Sequence, residues 1–403
     1  MGSLSLHLDS YLARTVRFTQ RLAQEHPRPR LLARACRLVD FLVRGTVHVL
    51  RNRRYYTFLK LANMALVNLQ FALKTERVWG RPYRMKIEST NICNTHCQLC
   101  PTGLNLPGRA KGKMTFEQYR RLIDRMHWHL AALDLSMWGD PLIVPDIYKM
   151  IRYAHDKGIW TYISSNLHAF KPEKEQARAL VESGLDLLTC SLHGASQQTF
   201  AIYQPGKSLP ETLAKIRHLV EVRRQLKSAT PALQLNFVVT RYNEHEIETF
   251  RQLAAELEAK PIFSWASLNV RLLNNGSPSA EPAADARRVA EHLDRWLPQD
   301  QKYMLRVYDL MRAGTFHAGD FNGHKMFNCS WPWQASVINW DGQVVTCCGS
   351  WETSEDMGSV FEQPFGRLWN GRKYRLARRS FKRALTHEQA RDNPCAQCPG
   401  YMV

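Results

Sequence analysis

The chain has few acidic residues and no long apolar segment. Its 403 residues include 36 Asp and Glu against 55 Lys and Arg, which gives a formal net charge of +19 at pH 7. Within residues 1–80 the longest stretch without a charged residue is Leu61–Leu73, and it contains Asn63, Asn68 and Gln70. This stretch is shorter than the ~20 residues that a membrane-spanning helix needs. We therefore expect no segment that crosses a bilayer.

The sequence also lacks a signal-peptide pattern and any low-complexity or fibrous composition. Ten cysteines without that pattern indicate a reducing compartment and metal ligation rather than a disulfide framework. The length is sufficient for two or three domains, or for one barrel with attachments, around a sizeable core. These features predict a cytoplasmic protein.

The N-terminal fifth of the chain is strongly basic. Residues 1–80 hold 14 Lys and Arg against 4 Asp and Glu, and two helices are predicted, Leu31–Leu50 and Tyr55–Leu73. Basic amphipathic helices can lie on an anionic membrane surface, which would make the protein peripheral at the inner membrane. The alternative is a helical extension that packs on the rest of the protein with its arginines in solvent. No nucleic-acid-binding motif is recognisable, so no nucleic-acid partner is expected.

Three cysteines, Cys93, Cys97 and Cys100, lie in an eight-residue window directly after a predicted strand. Soft thiolates on a tight loop favour an iron–sulfur cluster or zinc. Three ligands can hold three irons of a cube and leave the fourth iron open to an exchangeable ligand. Zinc would need a fourth ligand, for which His96 is available, although zinc sites usually show paired Cys-x2-Cys units.

From residue 85 onward, short apolar runs alternate with amphipathic helical stretches, which indicates β/α units on a parallel sheet. The predicted strands are Met85–Ser89, Leu133–Trp138, Trp160–Ser164, Leu185–Leu192, Leu233–Val239 and Ile262–Ala266. The predicted helices are Thr115–Trp128, Pro145–Lys157, Pro172–Ser183, Leu209–Lys227, Glu244–Lys260 and Pro282–Trp296.

The cysteine window resembles the Cys-x3-Cys-x2-Cys signature of radical S-adenosylmethionine (radical SAM) enzymes, with Leu99 where members often carry an aromatic residue. The resemblance implies an α/β fold, a partial (β/α)6 TIM-like barrel over residues 81–300. A helical N-terminal extension would occupy residues 1–80 and a small iron–sulfur domain residues 301–403. It also implies a [4Fe-4S] cluster whose open iron binds the amino and carboxylate groups of SAM.

Other strand ends resemble the SAM-binding segments of that family. The sequence Trp-Gly-Asp-Pro-Leu at 138–142 is similar to its Gly-Glu-Pro-Leu segment, and Gln204 stands where an Arg is common. The resemblance implies SAM contacts at the following positions: Gly139, Asp140, Asn166, Ser191 and Gln204. A purely structural alternative is that Asp140 and Ser191 cap helices.

A second cysteine group lies near the C-terminus, around a predicted hairpin of Ala335–Asn339 and Gln343–Cys347 that turns at Asp341-Gly342. Its spacing resembles the SPASM/twitch extension of radical SAM enzymes. The resemblance implies one auxiliary [4Fe-4S] cluster with four ligands: Cys329, Cys347, Cys395 and Cys398. A structural zinc site with four cysteines is the alternative.

The resemblance implies a 5′-deoxyadenosyl radical that abstracts hydrogen from a substrate C–H bond, with a flavodoxin- or ferredoxin-type reductant. Our first expectation is an oxidoreductase or epimerase acting on a hydroxylated small molecule, a sugar or a lipid-linked glycan. The alternatives are a maturase of ribosomally made peptides (RiPPs) and a non-catalytic iron–sulfur or zinc protein. Cys348 is the candidate hydrogen-atom donor of an epimerase, although a buried cysteine is commonly inert. Strand alternation places Cys190 opposite Ser191, facing the helices.

Overall fold

The computed structural model describes residues 49–50, 52–172, 175–268, 282–305, 308, 329–383, 385–391, 393–396 and 398. The chain divides into two units, Met1–Thr57 and Phe58–Val403. In the first unit, Arg53–Tyr55 forms a short 3-10 helix where the predicted helix Leu31–Leu50 gives way to the predicted helix Tyr55–Leu73. Nearly all of the predicted helix Leu31–Leu50 lies outside the described residues. Among the described residues, no helix is both long and apolar enough to cross a membrane.

The second unit is built on one eight-stranded sheet. Its strands are β1 Arg84–Ile87, β2 Ala132–Asp134, β3 Trp160–Ser165, β4 Leu187–Ser191, β5 Ala232–Val239, β6 Ala259–Trp265, β7 Ala335–Ile338 and β8 Val344–Val345. The spatial order is β6-β5-β4-β3-β2-β1-β7-β8. All neighbours pair in parallel except β7 and β8, which are antiparallel.

Helices connect the strands, and further helices precede β1 and follow β8. In chain order they are α1 Phe58–Ala72, α2 Phe116–Met126, α3 Ile147–Asp156, α4 Gln176–Glu182, α5 Gln197–Tyr203, α6 Leu209–Gln225, α7 Ile247–Glu256, α8 Pro282–Trp296, α9 Trp331–Gln334, α10 Phe365–Trp369, α11 Arg372–Arg379 and α12 His387–Arg391. Further 3-10 helices cover Pro141–Ile143, Glu244–Glu246, Gln301–Tyr303 and Thr353–Glu355.

The predicted fold class is confirmed, because six parallel strands alternate with helices from residue 84 onward. Some predictions were wrong in detail. The strand expected over Leu133–Trp138 ends at Asp134, and the helix expected over Glu244–Lys260 ends at Glu256, with Ala259 already beginning β6. Glu258 adopts a left-handed conformation with φ of 51°, which ends the helical path. Helix α5 was not predicted.

The C-terminal hairpin is not a separate sheet. Strand β7 pairs in parallel with β1, matching Arg84 with Ala335 and Ile87 with Ile338, so the hairpin extends the barrel sheet at its β1 edge. The tight turn falls at Gly342 as predicted, with φ of 84°. The cysteines that follow β8 are therefore held next to the strand that leads into the first cysteine loop.

The two faces of the sheet differ in chemistry because strand residues alternate in direction. The face covered by helices is apolar and fully buried, and Ile87, Ile163 and Leu235 are representative of it. The opposite, inner face carries polar side chains: Lys86, Asp134, Tyr162, Ser164, Thr189, Ser191, Gln234, Asn236 and Ser264. Parallel register aligns these residues across neighbouring strands, for example Lys86 with Asp134 and Asp134 with Tyr162.

Candidate functional site

The first cysteine loop begins beyond the carboxyl end of β1. Thr95 Oγ1 lies 3.1 Å from Cys93 Sγ and accepts a hydrogen bond of 3.4 Å from Cys97 Sγ. Burial raises the pKa of Cys97 to about 12, and the neighbouring thiols of Cys100 and Cys93 add to that shift. The three sulfurs therefore lie close together. Such a set of soft donors suits an iron–sulfur cluster, whose binding must displace the thiol protons.

Asn166, at the end of β3, ties the cysteine loop to the sheet. Its Nδ2 donates to Asn94 Oδ1 at 3.0 Å and lies 3.5 Å from Cys93 Sγ. Hydrogen bonds to ligand sulfurs tune the reduction potential of iron–sulfur clusters. The structure thus places Asn166 beside the predicted cluster ligands, and its contact with SAM stays a prediction.

Asp140 joins the end of β2 to the end of β3. Its carboxylate is almost fully buried and accepts hydrogen bonds from Ser165 Oγ, from Asn166 N at 2.8 Å and from Leu142 N at 2.9 Å. The bond from Leu142 N caps the 3-10 helix that follows, so the capping geometry is present. Burial raises the pKa of Asp140, whereas these hydrogen bonds lower it. Both carboxylate oxygens are engaged by protein donors, and a SAM contact of Asp140 stays a prediction.

Gly139 allows this segment to lie directly on the cysteine loop. A Cβ atom at Gly139 would come within 2.3 Å of Thr90 O and 2.7 Å of Ile92 O. Asp140 N also donates to Ile92 O at 3.0 Å. Any larger residue would push the end of β2 away from the loop, so this position requires glycine.

Ser191 and Gln204 lie at the end of β4. Ser191 Oγ is 3.3 Å from Ser164 Oγ on the inner face. Gln204 is fully buried, donates through Nε2 to Ser191 O at 2.8 Å and pairs through Oε1 with His168 Nε2 at 2.9 Å. Gln204 therefore positions the ends of β3 and β4 through its amide. Its neutral amide brings no charge to this position.

The C-terminal cysteines are partly brought together. Burial raises the pKa of Cys347 well above its usual value, and the nearby thiols of Cys348, Cys398 and Cys395 raise it further. Cys329 lies near Lys74, just before α9. In the described part of the chain, no group of three or more His, Cys, Asp or Glu side chains is arranged to hold a single metal ion. The four predicted ligands of an auxiliary cluster stay a prediction.

Cys348 points to a different place from Cys347. It interacts electrostatically with Lys86 of β1 and Asp134 of β2, which form an ion pair on the inner face. Tyr162 of β3 is near the same thiol. Burial raises the pKa of Cys348, and the ammonium of Lys86 opposes that shift. Cys190, by contrast, is fully buried in the helix-facing core, as strand alternation predicted.

Sequence reasoning missed the contacts that hold the C-terminal segment on the cysteine loop. Arg109 pairs with Asp341 and with Asp356. The indole of Trp351 donates to Pro107 O at 2.9 Å, and that of Trp340 donates to Ala110 O at 3.0 Å. These partners are more than 200 residues apart, so no local pattern could have paired them.

Glu88 was also missed. It follows β1 on the inner face, is 1 % exposed, and burial raises its pKa to about 7. Glu88 lies within the predicted strand Met85–Ser89, where the alternation of polar and apolar residues indicates only which face of the sheet it occupies. The sequence does not indicate that a later segment buries this side chain.

Comparison with known proteins identifies two families. Residues 87–254 match the model of the radical SAM superfamily, and residues 329–399 match SPASM, an iron–sulfur cluster-binding domain. Among curated proteins, the chain is 28% identical over 173 residues to an AdoMet-dependent heme synthase of Methanosarcina barkeri, covering 43% of this chain and 47% of that protein. It is 26% identical over 219 residues to a PqqA peptide cyclase of Ruegeria pomeroyi, covering 52% of this chain and 54% of that protein. The chain thus spans about half the length of these relatives.

Solved structures show the same fold. SuiB of Streptococcus suis bound to its precursor peptide SuiA superimposes with a TM-score of 0.54 at 14% identity, covering 84% of this chain and 75% of that chain. SuiB bound to S-adenosylmethionine gives a TM-score of 0.53, covering 79% and 72%. The two matched families establish [4Fe-4S] clusters with SAM as the cofactors. Residues 87–254 therefore form a radical SAM domain, and residues 329–399 form a C-terminal SPASM domain.

Proposed function

We propose that this protein is a radical SAM enzyme that abstracts a hydrogen atom from a polar substrate held on the inner face of its sheet. The observation that carries the proposal is the loop of Cys93, Cys97 and Cys100, which leaves the carboxyl end of β1 beside that face. In β/α barrels the chemistry gathers at this end of the strands. When bound, a reduced [4Fe-4S] cluster and SAM supply the 5′-deoxyadenosyl radical.

The chain's own residues would bind and orient the substrate. The inner face offers hydroxyl, amide and charged groups, several of which already hydrogen-bond to one another, such as Ser264 Oγ with Asn236 Oδ1 at 2.7 Å. Trp138 and Trp351 meet edge to face at 5.1 Å, and their rings would shield a substrate bound beside them from water. Holding one C–H bond in a fixed orientation accounts for much of the selectivity that such a reaction needs.

A peptide is the substrate class that the relatives favour. The similarity to a PqqA peptide cyclase covers about half of the chain. The polar inner face suits a peptide segment, because the backbone amides of the peptide need hydrogen-bonding partners when they leave water. In this reading the protein is a peptide maturase.

A hydroxylated small molecule, sugar or lipid-linked glycan is the second candidate, and Cys348 favours it. Epimerisation at a carbinol carbon requires a hydrogen atom for the substrate radical. The thiol would give up its S–H hydrogen to form the new C–H bond. The resulting thiyl radical would regain one electron from a flavodoxin- or ferredoxin-type reductant and one proton from solvent.

Anaerobic reconstitution with iron, sulfide, dithionite and SAM tests the proposed chemistry. We expect release of 5′-deoxyadenosine, measured by liquid chromatography. Two zinc ions in place of iron, with no 5′-deoxyadenosine, would support a non-catalytic binding protein. Libraries of peptides and of hydroxylated compounds, assayed for stimulated 5′-deoxyadenosine release, would separate the two substrate classes.

Substitution of Cys348 by alanine tests the epimerase reading. Turnover of a hydroxylated substrate in D2O should incorporate one solvent deuterium with the wild-type chain and none with Cys348→Ala, because the donor thiol exchanges with solvent. Mass spectrometry of the product measures the incorporation. Cys190→Ala is the matched control, since this thiol lies in the helix-facing core, and it should retain the deuterium. Equal incorporation by wild type and Cys348→Ala would end the role of this thiol.

We also propose that the N-terminal part of the chain contacts an anionic membrane surface. Helix α1 buries polar side chains: Lys60 donates to Gly158 O at 2.6 Å, and Asn63 donates to Arg81 O at 2.8 Å. The opposite side of the helix exposes large apolar residues: Phe58 is 83% exposed, Leu59 61% and Leu69 56%. Leu73 and Trp79, which follow the helix, are 61% and 82% exposed. Exposed apolar side chains that follow a basic segment in the sequence suit the interface of an anionic bilayer.

Flotation with liposomes measures this contact on the full chain. We expect co-flotation with vesicles containing about 30% phosphatidylglycerol at low salt and markedly less with pure phosphatidylcholine, because each basic residue near the surface adds about 1 kcal/mol of attraction. The combined variant Leu59→Ser, Leu69→Ser and Leu73→Ser should float several times less, since it removes apolar burial and leaves every charge in place. Equal flotation of both proteins would contradict the proposal.

A further inference from the structure

We propose that a small pocket between the end of β1 and the SPASM domain binds a primary ammonium group of the substrate, with Glu88 as the anionic partner and Ser350 as a second hydrogen-bond acceptor. The pocket is lined by Glu88, Asn91, Arg109, Trp138, Asn339, Ser350 and Trp351. This inference rests on the proposed function, since it concerns the substrate of the same site.

Glu88 is a buried carboxylate with few strong partners. Its Oε1 accepts from Trp138 N at 3.3 Å and its Oε2 from Trp340 N at 3.4 Å, both near the upper limit for a hydrogen bond. Two carboxylate oxygens can accept about four hydrogen bonds. A carboxylate that is 1 % exposed and so weakly satisfied is costly, so it either takes up a proton or is completed by a further donor such as a cationic ligand.

Ser350 provides an independent sign that the pocket lacks a partner. It is 4% exposed, and its Oγ has no hydrogen-bond partner in the described part of the chain. Its carbonyl oxygen is already used, because it accepts from Trp138 Nε1 at 3.0 Å. A buried hydroxyl without a partner points to a group that is bound there during function.

The neighbouring cations are committed elsewhere, which leaves room for a cationic ligand. Arg109 lines the same pocket and acts on Glu88 through its charge, but its guanidinium pairs with Asp341 and Asp356. Lys111 Nζ points to the carbonyl oxygen of Asn91 at 3.4 Å. Within the described residues, Glu88 forms no ion pair of its own, so an ammonium would supply the missing charge and the missing donors.

The pocket continues the inner face toward the SPASM domain. Glu88 follows Lys86 by two residues on the same face of β1, and Ser350 follows Cys348 by two residues. Cys348 interacts with Lys86 and Asp134. Trp138 links Glu88 to Ser350, because its N donates to Glu88 Oε1 at 3.3 Å and its Nε1 donates to Ser350 O at 3.0 Å. A substrate on the inner face could therefore place an amino group in this pocket. The aromatic rings of Trp138 and Trp351 beside it would also favour a cation.

The test uses methylammonium as the probe, because its ammonium group is about the size of the single water molecule for which the pocket has room. Saturation-transfer NMR on the reconstituted full chain should show saturable binding of methylammonium that methanol at the same concentration does not reproduce. We expect at least tenfold weaker binding by Glu88→Gln, which keeps the shape and removes the charge. We expect about threefold weaker binding by Ser350→Ala.

Two controls keep the result interpretable. Glu246→Gln changes another buried carboxylate, which accepts from Ala195 N and Thr199 Oγ1, and it should leave methylammonium binding unchanged. Glu88→Asp keeps the charge at a shorter reach and should bind between wild type and Glu88→Gln. Equal binding of methylammonium by wild type and Glu88→Gln would overturn the proposal. The absence of saturable binding would also overturn it and would assign the pocket to a fixed water. Release of 5′-deoxyadenosine, measured separately, tests the proposed function itself.

Discussion

Cys97→Ala is expected to abolish the release of 5′-deoxyadenosine from SAM and to remove about half of the iron from the reconstituted protein. Cys97 is the central member of the first cysteine group, and Thr95 links it to Cys93. With two thiolates left, the loop cannot hold three irons of a cube. The auxiliary group near Cys347 is untouched and should keep its iron.

The measurement combines iron and sulfide analysis, Mössbauer spectroscopy and chromatography of the reaction products under anaerobic conditions. Thr95→Val is the matched control, because it removes the hydroxyl beside the sulfurs of Cys93 and Cys97 and leaves all ligands in place. It should retain full iron content and show a shifted reduction potential with partial activity, since hydrogen bonds to sulfur tune the cluster.

His96→Ala separates iron–sulfur ligation from the zinc alternative. His96 Nδ1 lies 3.4 Å from Gly103 O, and the imidazole was the available fourth ligand for zinc. If the loop binds a cluster, this variant should keep its iron and its SAM cleavage. Loss of bound zinc from His96→Ala, or full SAM cleavage by Cys97→Ala, would contradict the proposed site.

The barrel strands and the cysteine loop were predictable because their signals are local. Alternation of apolar residues marks β3 and β5 within one or two residues of their observed bounds, and the three-cysteine spacing is complete within eight residues. The opposite orientations of Cys190 and Ser191 also follow from strand alternation alone. Such features depend on residues that are neighbours in the sequence.

Helix α1 shows what local pattern could not decide. Its helical character was predicted, but its polar residues Lys60 and Asn63 are buried, whereas Leu59 and Leu69 are exposed. At these positions the helix departs from the usual rule that the apolar side faces the core, which Val67 still follows. The reason is tertiary: Gly158 O and Arg81 O offer acceptors at the helix surface, and no sequence window contains all of these residues.

The pairing of β7 with β1 was equally hidden. The strands are about 250 residues apart, and their parallel register gives no turn signal. Once paired, they bring Ser350, Trp351 and the carboxylate of Asp356 to the first cysteine loop. The candidate site is therefore composed of a predictable loop and an interface that only the folded chain reveals.

Arg378→Met is expected to destabilise the protein by about 3 kcal/mol or more, the second large effect. The Arg378 side chain is fully buried in α11. It donates to Pro332 O at 2.8 Å, to Glu76 O at 3.1 Å and to Trp369 O at 2.8 Å. A methionine would leave these three carbonyl groups without that donor, at about 1 kcal/mol or more each.

The aromatic contacts of Arg378 add to the expected loss. Its guanidinium lies 4.4 Å from the ring centre of Trp369 and 5.3 Å from that of Tyr374. Burial lowers its pKa to about 9, while nearby Tyr374 and Cys395 oppose that shift. The side chain thus connects α10, α11 and the segments around Glu76 and Pro332 beside one of the C-terminal cysteines. Arg378→Lys should recover little, because a single ammonium cannot reproduce the planar fork of donors.

Denaturant unfolding of the anaerobic holoprotein, followed by circular dichroism, measures the change. Arg379→Ala is the control at the neighbouring position: Arg379 pairs with Glu76 at 2.6 Å and its side chain is 28% exposed. A partly exposed ion pair contributes at most about 1 kcal/mol, so this variant should unfold close to wild type. If Arg378→Met and Arg379→Ala lowered the free energy of unfolding equally, the interior hydrogen bonds of Arg378 would not anchor the SPASM domain. A selective loss for Arg378→Met, together with release of iron from the auxiliary site, would show that the cysteines after β8 depend on this arginine for their placement.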